Sequence, residues 1–111
     1  MNTPQKGQFR WMIFKDGKNW VGAALEFNIV LTGDDPRVVE ADLNEAVLGY
    51  LESAKKLKGI RAQKIYAILN QVPADEHEER WTAARKSLQT SVLSPLSSDI
   101  YKFGIANLAT A

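Results

Sequence analysis

Arg10, Trp11, Lys15, Lys18 and Trp20 interleave cations with indoles in one short stretch. Cations neutralise phosphates and indoles stack on bases, so this pattern suits contact with nucleic acid. The competing reading is a strand pair whose aromatics fill a core and whose lysines keep a turn in water. The second is preferred, because Lys and Arg number 14 against 13 acidic residues and the net charge is +1. A nucleic-acid-binding domain is expected to be basic overall or along a stripe.

A second group is acidic: Asp34, Asp35, Glu40, Asp42 and Glu45. Two-metal chemistry needs carboxylates converging from several elements on ions roughly 4 Å apart. These five instead fall at a predicted helix start and along its outer face, where capping and dipole compensation account for them. His77 is the only histidine, and its acidic neighbours in sequence do not face it on a helix. It reads as a surface or half-buried helix residue. Trp81, with Ala84 and Leu88, forms a short apolar stripe; core packing is the default and a subunit interface the alternative. No catalytic residue, metal ligand or cofactor site is expected. The candidate contact residues, for a partner or a nucleic acid, are Arg10, Lys15, Lys18, Trp20 and Trp81.

The elements that must carry these residues are legible in the first half. Residues 8–14 alternate, with Phe9, Trp11 and Ile13 on one face and Arg10, Met12 and Phe14 on the other. Asp16-Gly17 marks a hairpin turn. A second strand is predicted over 19–26, with Gly22 and Ala24 leaving room for something bulky, and a third over 29–31, closed by Thr32-Gly33. Asp34 or Asp35 can cap a helix beginning at Pro36. Its stripe, from Val39 through Leu43, Val47 and Leu51 to Leu57, has helical period, and Gly59 is a stop. One apolar sheet face and one apolar helix stripe are expected to bury each other.

The second half predicts a helix over 60–71 ended by Pro73, and another from Asp75, with Glu78 as its capping partner, to Leu88. A loop over 90–99 leads to a last strand over 100–108, with Tyr101, Phe103 and Ile105 on one face. Residues 1–7 read as a loose polar lead without the apolar core of a signal peptide. At 111 residues the chain suits one domain. With no cysteine, and no apolar run near the roughly 20 residues that span a bilayer, a cytoplasmic protein is expected.

Residues 9–58 resemble the HicB-like domain, the N-terminal half of HicB antitoxins. The likeness rests on Trp20-Val21-Gly22, on Ala24-Leu25-Glu26-Phe27-Asn28, on the strand from Ile29 to a Gly33-Asp34 step, and on Glu45-Ala46-Val47 followed by Tyr50-Leu51-Glu52. The resemblance implies an α+β fold: a three-stranded antiparallel sheet on one long helix, partly ribonuclease-H-like, with a later strand. It also implies a non-enzymatic interaction module that masks a small ribonuclease toxin and self-associates. After Gly59 the chain departs from the family, with neither a helix-turn-helix nor a ribbon-helix-helix, so a stand-alone or degenerate member is expected. A nucleic-acid-binding regulator using the basic, aromatic hairpin is the alternative. Open strand edges add an expectation of a homodimer or larger homo-oligomer.

Overall fold

A computed structural model of the chain describes residues 2–3, 6–56, 62–90 and 99–108, without the side chains of 62, 63 and 88–90. The fold is α+β: strands β1 (Gln8–Asp16), β2 (Asn19–Ala24) and β3 (Ile29–Gly33), helices α1 (Pro36–Lys55), α2 (Ala62–Leu69) and α3 (Asp75–Thr90), and strand β4 (Ile100–Asn107). The sheet is antiparallel throughout, in the order β3-β2-β1-β4. The late strand therefore joins the sheet beside β1. Gly59, Leu57, residues 60–61 and most of the 90–99 loop lie outside the described residues.

The hairpin turns one residue later than Asp16-Gly17 suggests. Asp16 pairs with Asn19, so Gly17 and Lys18 form the loop, and only Gly17 has positive φ, at 63°. A glycine first in a two-residue loop matches a type II′ turn, which follows the natural strand twist. β2 ends at Ala24, two residues before the predicted end, because Leu25–Phe27 winds into a 3₁₀ turn. Asn28 closes that turn with φ 50°, a conformation asparagine tolerates better than most residues.

α1 starts as its sequence predicts. The Asp35 side chain accepts from Arg37 N at 2.9 Å, and Pro36 takes the first turn, where its missing N–H costs nothing. Val39, Leu43, Val47, Leu51 and Ala54 are buried against one sheet face with Phe9, Ile13, Ala24 and Phe27. Gly22 permits this approach: a Cβ there would lie 2.9 Å from Val39 Cγ1.

The expectation of one apolar sheet face is corrected. Met12, Phe14, Val21, Ala23 and Leu25 point the other way and are also buried, packed with Trp81 of α3. The sheet is therefore covered on both faces, by α1 and by α3. α3 begins after Ala74, whose carbonyl accepts from His77 N and Glu78 N. Glu78 reaches Arg10 of β1 in an ion pair, a different role from the capping partner expected.

The last strand also differs from plain alternation. The register shifts between Ile13, paired with Lys102, and Phe14, paired with Ile100, so Tyr101 is an extra residue. A bulge of this kind moves side chains to the opposite face. Tyr101 meets Trp20 while Phe103 meets Trp81, so the two do not share a face. Within the predicted loose lead, Asn2 is 5% exposed. Its Nδ2 donates to Leu69 O at 2.9 Å and its Oδ1 accepts from Gln8 N at 2.8 Å, tying the α2 end to the start of β1.

Candidate functional site

The five candidate contact residues divide between the two sheet faces. Lys15, Lys18 and Trp20 gather at the hairpin end. Lys15 and Trp20 are cross-strand partners, with Lys15 Nζ 6.0 Å from the Trp20 ring. The bulge brings two residues that sequence spacing did not join to them: Tyr101, edge-on to Trp20 at 6.0 Å, and Lys102, whose Nζ is 5.7 Å from the Tyr101 ring. Lys102 also pairs with Glu40 of α1 at 3.2 Å. No sequence signal marked that bulge.

Arg10 and Trp81 meet on the opposite face. The guanidinium lies 5.7 Å from the Trp81 ring. It is held by two carboxylates: Nε donates to Glu26 Oε2 at 2.8 Å, and Nη1 pairs with Glu78 Oε1, which is buried outside hydrogen-bond geometry. Burial works against the Arg10 charge, but Glu26 and then Glu78 outweigh it and raise the pKa above the ordinary value. Arg10 is thus a paired structural cation. Trp81 is 5% exposed and belongs to the core, the first of its two expected roles.

The acidic residues do not converge. Asp35 caps α1, and Arg37, by side-chain and then backbone hydrogen bonds, holds its carboxyl below the usual range. Glu40 faces Lys102, while Asp34, Asp42 and Glu45 are exposed. Among the described residues no group of three histidine or carboxylate side chains could hold a metal ion. His77 corrects its expectation: it is buried, at 8% exposure, with its ring 6.2 Å from Phe14, and its sequence neighbour Glu76 does approach it, Oε1 lying 3.8 Å from Nε2.

Concavities on the described surface include the following three. One of about 140 Å³ lies between α1 and the β1–β4 pair, over Phe9, Trp11, Leu43 and Val47. A more open one of about 370 Å³ runs past Arg10, Thr82 and Arg85. The third, about 210 Å³, is floored by Phe14, Val21 and Val30 beside Thr32, with His77 and Arg80 on α3; the Arg80 guanidinium is 4.1 Å from the Phe14 ring. It opens at β3, an edge strand that among the described residues pairs only with β2. Val30 on that strand is 48% exposed, and Val72, whose carbonyl accepts from Asn28 Nδ2, is 85% exposed. Sequence reasoning placed the third strand but not the groove beside it, which α3 creates.

Fold and surface together define a small α+β protein with a helix on each sheet face and an uncharged open edge. No family model, curated protein or solved structure matches the chain. No helix among the described residues is long and apolar enough to cross a membrane.

Proposed function

We propose that the chain is a non-enzymatic protein-interaction module of the HicB-like kind, which masks a small ribonuclease. One observation carries the reading: among the described residues β3 (Ile29–Gly33) leaves an edge unpaired, contains neither lysine nor proline, and carries a half-exposed Val30. Proteins normally blunt such edges or use them to bind another chain. The order of three strands and a long helix agrees with what the sequence resemblance implies. The test is co-expression with the product of the adjacent gene. A stable complex in which that product no longer cleaves RNA is expected; a product that neither co-purifies nor cleaves RNA removes the reading.

A second reading is favoured by the hairpin end, where Lys15 and Trp20 adjoin Tyr101 and Lys102. Two aromatic rings flanked by cations suit single-stranded nucleic acid. Quenching of tryptophan fluorescence by a single-stranded oligonucleotide, lost in Trp20→Phe and weakened by salt, is its expected signature.

A further inference from the structure

We infer that the occupant of the β3 edge is a second copy of this chain, joined by antiparallel β3–β3 pairing about a two-fold axis at Leu31. The inference rests on the interaction-module reading and names the partner at that edge.

The strand sequence is self-complementary under that axis. Leu31 meets the partner's Leu31, Val30 lies opposite the partner's Thr32, and Ile29 lies opposite the partner's Gly33. On the α1 side the large Ile29 thus faces the small Gly33, which is closed in by Val39 Cγ2, 2.9 Å from its Cβ position. On the α3 side, exposed Val30 and exposed Thr32 form a pair of β-branched residues, a favourable cross-strand combination. No charge falls within the paired segment. The first charge beyond it, the exposed Asp34, comes opposite the partner's Asn28, an amide, and therefore meets no like charge. An isologous contact of this kind closes on itself and leaves no free β3 edge. Moving the axis by one residue changes the partners: centred on Val30 it sets Val30 against the partner's Val30 and Thr32 against the partner's Asn28, and centred on Thr32 it sets Val30 against the partner's charged Asp34.

Light scattering behind a sizing column at about 100 µM reads the result. A mass of twice 12.4 kDa is expected for the native chain. Val30→Lys and Thr32→Glu each alter an exposed side chain, so the fold is kept, as far-UV circular dichroism will verify. Each variant alone is expected to fall to 12.4 kDa. The double variant Val30→Lys/Thr32→Glu is expected to regain the doubled mass, because each new lysine then faces the partner's glutamate. Equimolar mixing of the two single variants is expected to do the same. A native mass of 12.4 kDa, a doubled mass that survives Val30→Lys, or a double variant that stays monomeric overturns the inference. A monomer that still forms a complex with the adjacent gene's product overturns the self-pairing and leaves the interaction-module reading standing.

Discussion

Arg10 and Glu26 are joined three times: the Arg10 backbone N–H donates to Glu26 Oε1 at 2.6 Å, its Nε donates to Oε2 at 2.8 Å, and its Nη2 pairs with Oε2 at 2.6 Å. One carboxylate thus ties the main chain and side chain of β1 to the 3₁₀ turn after β2. Both side chains are largely buried, at 25% and 20% exposure. Hydrogen bonds to charged groups in such settings are worth about 1.5–3 kcal/mol. Glu26→Gln is expected to lower unfolding stability by about that amount. Glu78→Gln, at a side chain 43% exposed, is expected to cost less. Urea denaturation checks the order, and a larger loss at Glu78 contradicts it.

Leu51 and Leu48 share a helix but not an environment. Leu51 is 2% exposed against the sheet and Leu48 is 44% exposed. Leu51→Ala is expected to cost about 2–5 kcal/mol through lost transfer energy and a residual cavity. Leu48→Ala is expected to stay within about 0.5 kcal/mol. Equal melting temperatures for the two variants contradict the helix-on-sheet packing.

Gly22 and Gly49 should respond to alanine with opposite signs. A Cβ at Gly22 meets Val39 Cγ1 at 2.9 Å and Ile13 Cδ1 at 3.3 Å, whereas one at Gly49 meets nothing within 4 Å. Gly22→Ala is expected to cost about 1–3 kcal/mol by overpacking. Gly49→Ala, inside α1, is expected to add about 0.5–1 kcal/mol by reducing the freedom of the unfolded chain. Thermal melts of both variants decide it.

Tyr50 sets an alkaline limit. Its hydroxyl donates to Ile68 O at 2.8 Å and accepts from Gln71 Nε2 at 2.7 Å, joining α1 to the end of α2. Burial raises the phenol pKa, with the Gln71 hydrogen bond opposing. A group whose folded pKa is raised contributes stability below its unfolded value, near 10, and loses it as pH climbs through the folded value. Stability is therefore expected to fall above about pH 10, and the fall to be smaller in Tyr50→Phe. Absorbance titration of the tyrosines against far-UV circular dichroism measures both.

The first four elements were legible because each satisfies a short-range rule. Alternation gives β1, and an Asp35-Pro36 start with a helical stripe gives α1. What covers the second sheet face was not legible. The expectation of one apolar face passes over Met12 and Phe14, whose cover, Trp81, is far along the chain with no local pattern to link them. At the candidate site, parity was the available signal: Arg10 and Lys15 stand an odd number of residues apart in one strand, hence on opposite faces. Grouping them by nearness in sequence joined a paired structural cation to an exposed one. The bulge at Tyr101 left no such trace, because an extra residue in a strand looks like any other until its partner strand is known.

The place of β4 beside β1 has a consequence for synthesis. Gln8 pairs with Asn107, so β1 waits until α1, α2 and α3 have all been made before its second edge is closed. During translation the nascent chain can complete the β1–β2–β3 meander and lay α1 on it, while β1 stays unzipped on one side. In that interval β1 is an apolar strand with a free edge, a hazard for association between ribosome-bound copies. Emergence of β4 from the ribosome, which lets it dock beside β1, ends that exposure.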